Sequence, residues 1–142
     1  MGANRKILYV ASSFGHLASF HRPYLRGFAQ QGGEVHAAAG GEPCALEGVS
    51  RFIPLPLEKR MASPRNFFAA HPLRALLRRE DYALVSLHTS LAAFFARLAL
   101  RPAWKGRPVV MNTVHGYLFA DATPLLKRQL LLSAFNCSKS AF

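Results

Sequence analysis

Apolar residues recur along this chain in two rhythms. KILYVAS (6–12), EVHAAA (34–39), YALVSL (82–87) and RPVVMNTV (107–114) are short runs with little polar alternation. Such runs suit strands buried on both faces of a parallel sheet. RFIPL (51–55) is a further strand, with Pro54 inside it and Pro56 just after. Proline has no N–H to give to a ladder, so this strand is expected at a sheet edge. Between the runs the spacing turns helical. Leu17, Phe20, Tyr24, Leu25 and Phe28 form one stripe, with Arg22, Arg26 and Gln30 opposite it. Pro23 marks a first turn or a kink, and Gly32-Gly33 ends the helix. Ser63-Pro64 opens a helical segment in which Leu73, Leu76 and Leu77 share a face, while Arg74, Arg78 and Arg79 point away. Ser90 is placed to cap LAAFFARLALR, which is apolar nearly all round, and Pro124 begins another helix.

The resulting order, β-α-β-β-α-β-α-β-α, predicts an α/β domain: a Rossmann-like parallel sheet with helices on both faces. In such sheets ligands bind beyond the carboxyl ends of the strands, where the strand order reverses. With strand order 3-2-1-4-5, strands one, four and five flank that point. His16 follows strand one, His88 ends strand four and His115 follows strand five, so all three are expected around one crevice. Ser12, Ser13, Gly15, Thr89, Ser90, Thr113 and Gly116 fall at the same edge. Small residues there let backbone N–H groups approach a ligand, and helix N-termini at Leu17 and Ser90 favour anions. A single histidine at a strand end is more often a loop or core imidazole than a functional one. Three at adjacent tips point to function in at least one. His21 reads as packing, and His36 and His71 as structural or solvent-facing.

Charge narrows the classes of partner. The chain has 142 residues and a net charge of +11, with 51% apolar residues, enough for one sizeable core. The positive surface suits phosphates, nucleic acid or an anionic membrane. The stretch KRMASPRNFFAAHPLRALLRR (59–79) joins basic residues to two adjacent phenylalanines. Its simplest reading is the solvated face of a helix whose leucines pack on the sheet. Contact with an anionic membrane surface comes second. Nucleic acid is not expected as a partner, because no RNA-binding, helix-turn-helix or zinc-finger pattern accompanies the charge. Cys44 and Cys137 form no paired motif and read as free thiols in a reducing cytoplasm. The N-terminal apolar run is too short for a signal peptide. Residues 83–100 approach spanning length, but His88 and Arg97 interrupt them and Thr89-Ser90 splits them into a strand and a helix. No glycine-rich dinucleotide fingerprint, Walker loop, HExxH or G-x-S-x-G elbow occurs, so no cofactor is expected. A three-histidine metal site is conceivable, but the spacing favours none, and no metal is expected.

KILYVASSFGHLASFHRPYLRGFAQQGGEVHAAAGG, LHTSLAAFFARLA and VVMNTVHGYLFADATPLLKRQLLL together resemble the N-terminal half of family 4 retaining nucleotide-sugar glycosyltransferases. Those enzymes build capsule, exopolysaccharide and lipid-linked glycans. Residues 1–134 are expected to form that domain, one half of the two-domain GT-B architecture. The resemblance implies that this half binds an acceptor, often a sugar on a lipid diphosphate at the cytoplasmic membrane face, and that a second half binds the nucleotide sugar. It implies that Gly15 and His16 border the donor's phosphates. His115 would face the reacting sugar as the catalytic residue, and His88 and Thr89 would line the acceptor side; Thr113 and Gly116, at the same strand-tip edge, are the further substrate-binding candidates. Residues 135–142, FNCSKSAF, do not continue the family's pattern and are expected to be foreign to the fold, as from a truncated or shifted reading frame. The chain alone is then expected to be inactive, competent only with a missing or separate donor-binding domain. The alternatives are a non-catalytic module binding an anion or a membrane surface, and an inactive remnant. Its expected location is the cytoplasm, peripheral at the inner membrane face through 59–79.

Overall fold

A computed structural model describes residues 5–60, 62–100 and 108–113, together with Leu125 and Gln129. Five parallel strands form one sheet: β1 (Lys6–Ala11), β2 (Glu34–Gly40), β3 (Val49–Leu55), β4 (Leu84–His88) and β5 (Val109–Thr113). Their order is β3-β2-β1-β4-β5, the order anticipated above. The reversal therefore falls between β1 and β4, where Tyr9 pairs with Ser86. The strand carrying Pro54 is indeed an edge strand.

Successive side chains of a strand point to opposite faces, so the unalternating runs fill two cores. One face packs Ile7, Tyr9, Ala11, Val35, Ala37 and Ala39 against α1 (Phe14–Phe20) and α2 (Arg22–Gln30). The other packs Leu8, Val10, Val85 and Leu87 against α3 (Arg65–Arg79) and α4 (Ser90–Leu100). The alanines of β2 let helices lie close, and Gly40 lets strand ends meet. A Cβ at Gly40 would stand 2.5 Å from the Leu57 carbonyl oxygen and 2.6 Å from that of Ser12.

The first helix departs from its expected form. The stripe from Leu17 to Phe28 is carried by two helices, and the first begins at Phe14, N-capped by the Ser13 hydroxyl 3.2 Å from the His16 N–H. The break lies at His21, because Pro23 has no N–H to continue the ladder and sits instead in the first turn of α2. The Arg22 Nε donates to the Ala18 carbonyl at 2.9 Å. Gly32 ends α2 at φ +80°, a conformation that glycine adopts without strain.

Two further expectations are corrected. Thr89, not Ser90, caps α4: its Oγ1 accepts from the Ala92 N–H at 3.4 Å. Arg74 does not point away. Its guanidinium reaches α4, donating to the carbonyls of Ala99 at 3.2 Å and Leu98 at 3.0 Å. The last carbonyls of a helix lack intrahelical partners and carry its negative end, so a cation is well placed there. Residues 83–100 resolve into β4 and α4, and among the described residues no helix is long and apolar enough to cross a membrane. The segment at Pro124 and the tail 135–142 lie outside the described residues, apart from the helical Leu125 and Gln129.

Candidate functional site

A cluster of aromatic rings lies toward the carboxyl ends of β1 and β4. His88, the last residue of β4, is buried on the face that holds α1 and α2. Its imidazole lies parallel to the Tyr9 ring, with centroids 5.0 Å apart and planes at 6°. Ser86 fixes the ring edge, its Oγ 2.8 Å from His88 Nε2. His21 packs against the same imidazole, 3.9 Å between centroids and tilted by 49°. His16 follows at 5.6 Å from His21, half-buried in the first turns of α1. Tyr9 also meets His21 at 6.0 Å, and Tyr24 lies 6.2 Å from His21. Burial pushes the Tyr9 hydroxyl up to about 12, with a smaller contribution from Tyr24.

Two of the three histidines read as strand-tip residues are thus joined, through a third. His21 is a packing residue, as its place near the apolar stripe suggested, but what it packs against is His16 and His88. The signal in the sequence was the proline two residues later. By ending α1, Pro23 leaves His21 at the joint of two helices, where its ring turns in over the sheet. Gly15 is exposed, and among the described residues a Cβ there would meet only the Ser13 Oγ, at 3.9 Å. Thr89 stands at φ +79°. The left-handed region is unfavourable for a β-branched residue, and such strain concentrates at functional sites. Thr113 ends β5, paired with His88 in the ladder. His115 and Gly116 lie outside the described residues.

The opposite end of the sheet holds its own polar network. The Lys6 Nζ donates to Glu80 Oε2 at 2.7 Å, and Arg51 Nη1 to Glu80 Oε1 at 2.9 Å. His36 is buried, its Nε2 2.8 Å from Glu34 Oε1 and its Nδ1 2.7 Å from the Tyr82 hydroxyl. It is structural, one of the two readings given above. Among the described residues no group of histidines, cysteines and carboxylates is disposed to hold a metal ion. Cys44 is a free thiol.

A parallel α/β domain with a polar, histidine-bearing edge where its strand order reverses is a ligand-binding architecture. Residues 24–138 match the sequence profile of Glycosyltransferase Family 4, and the chain belongs to that family. It is 33% identical over 121 residues to EpsD of Bacillus subtilis (strain 168), which is named as a glycosyltransferase. That alignment covers 85% of this chain and 32% of EpsD, so the chain spans about a third of the length of that relative. Among solved structures, the L-amino acid ligase from Bacillus licheniformis aligns over 73% of this chain and 26% of its own, at 17% identity and a TM-score of 0.47.

Proposed function

We propose that this chain is the acceptor-binding domain of a glycosyltransferase. It would move a sugar from a nucleotide sugar to a lipid-linked glycan acceptor in cell-surface polysaccharide synthesis. The observation that carries the reading is the family match over residues 24–138. The polar edge at the ends of β1 and β4 supports it, because that is where an open parallel sheet receives its ligand. In this reading Gly15 and His16 border the donor's diphosphate. His88 and Thr89 line the acceptor side, Thr113 and Gly116 are further substrate-binding residues of the cleft, and His115 faces the reacting sugar. Transfer needs donor and acceptor held together, so the domain works with a donor-binding domain. Its place is the cytoplasmic membrane face, held there through residues 59–79.

The test is to join the chain to the part of EpsD that it does not cover and to supply a labelled nucleotide sugar with membrane lipid extract. Labelled glycolipid from the joined protein, and none from either part alone, is the expected result. His115→Ala in the joined protein is expected to lower transfer about 100-fold, as loss of a group facing developing charge does. Binding of phosphate or acceptor lipid with no transfer in any pairing would instead leave a non-catalytic binding module.

A further inference from the structure

Three imidazoles meet at one end of the sheet, and imidazole is the side chain whose ordinary titration lies nearest neutral pH. His16 and His21 are 5.6 Å apart and His21 and His88 3.9 Å, measured between ring centroids. His21 and His88 are 4% and 3% exposed. Among the described residues, the titratable side chains packed on them from neighbouring elements include Tyr9 of β1 and Tyr24 of α2. Two imidazolium rings at these separations repel strongly in a site so poor in water.

We infer that His16, His21 and His88 titrate as one unit that carries a single added proton near neutral pH, with His21 as the positioning residue that couples the other two. The proton enters from solvent at the half-buried His16, and the charge it brings opposes protonation of the other two rings. A second proton binds only at distinctly lower pH, because it must join a charge already present. The cluster then offers one positive charge, never three, to whatever docks at the strand ends. Its use in transfer rests on the reading above, whereas the coupling does not.

Long-range proton–nitrogen NMR of the full chain, followed from about pH 5 to about pH 9, reads each imidazole separately. The expected result is interdependent curves for His16, His21 and His88, with first and second protonations separated by at least about 1 pH unit. His21→Phe keeps an aromatic ring in the packing and removes the titrating group between the others. It should leave His16 and His88 with simple single-site curves and shifted midpoints. Should that variant fail to fold, His16→Gln at the rim should raise the midpoints of His21 and His88. Three independent, overlapping curves in the wild type, or a variant that leaves the remaining curves where they were, overturns the inference. None of these readouts requires a donor, an acceptor or transfer, so this inference and the transferase reading fail separately.

Discussion

The His88 ring lies flat on that of Tyr9, 5.0 Å between centroids and 6° from parallel. The two residues belong to β4 and β1, the pair of strands between which the sheet reverses its order. A single aromatic contact therefore ties the candidate site to the centre of the fold. Tyr9 is 3% exposed, and it also touches His21 and the edge of Phe28. Removing its ring should both open a cavity and release the histidine. Tyr9→Leu is expected to lower stability by about 2 kcal/mol in urea denaturation. Tyr9→Phe, which keeps the ring, should cost far less.

The same burial gives an alkaline limit. Tyr9 is held protonated up to about 12 against an ordinary value of 10.0, and burial raises Tyr82 as well. A raised value favours the neutral form in the fold. The stability it brings is complete below the unfolded value and falls as pH climbs from there toward the folded one. Urea midpoints should drop from about pH 10 upward, and Tyr9→Phe should flatten part of that slope. Tyrosinate absorbance should show these phenols ionising late in the native protein and normally in urea.

Thr89 combines two opposed effects. Its hydroxyl caps α4, and its backbone stands at φ +79°, where a β-branched residue is strained. Thr89→Ala should lose about 1 kcal/mol, since the cap goes and the strain stays. Thr89→Asn should match or exceed the wild type, because asparagine caps well and tolerates the left-handed region. Thr89→Gly should fall between them. Urea midpoints in any other order would remove the assignment of strain to this position.

At the far end of the sheet, Lys6 and Arg51 both donate to Glu80. The hydrogen bond from Lys6 is the main influence holding the Glu80 carboxyl below its usual range, and the same bond raises Lys6. A lowered carboxylate stabilises the fold above its unfolded value and ceases to do so as pH falls through its folded one. Glu80→Gln should therefore be less stable than wild type near neutral pH. The gap should close as pH falls through the folded-state value, below which both forms are uncharged. A gap independent of pH would mean that the side chain acts through packing alone.

Much of this architecture was legible because its signals are local. Unalternating apolar runs with glycines and prolines between them mark buried parallel strands, and Pro54 marks the edge. The strand order was a premise of the doubly wound pattern, and the sheet has that order. What stayed hidden depended on contacts between distant segments. Arg74 and Thr89 look from sequence like a surface charge and a loop residue. Only the approach of α3 to α4, and the turn that β4 makes into α4, assigns them their hydrogen bonds. His21 could be read as packing, but its partners lie on β4 and in α1, and a stripe of apolar spacing does not say what the stripe will meet. The candidate residues His16 and His88 were legible as strand-tip histidines; their connection through His21 was not.

Residues 59–79 present a face that the core does not use. Asn66, Ala69, Leu73 and Leu76 are buried, and Arg74 is tied to α4. Phe67, Phe68, His71, Pro72, Ala75, Arg78 and Arg79 are all exposed. At helical spacing these form one continuous strip, apolar at its start and basic at its end. Phe67 and Phe68 are 59% and 70% exposed, and the Phe67 ring meets Phe95 edge-on at 5.2 Å. Two exposed phenylalanines beside arginines combine the two attractions that hold a helix on an anionic bilayer. Each arginine near such a surface contributes about 1 kcal/mol. The chain should therefore float with vesicles rich in phosphatidylglycerol and not with neutral ones. Phe68→Ser should cut that binding about tenfold, since a buried phenylalanine contributes about 1.5–3 kcal/mol and this one enters only part of the way. Arg78→Gln with Arg79→Gln should weaken binding most at low salt, where surface charge is least screened. Salt that abolished binding entirely would leave no role for the phenylalanines, and absence of flotation at low salt would remove the membrane from the proposed function altogether.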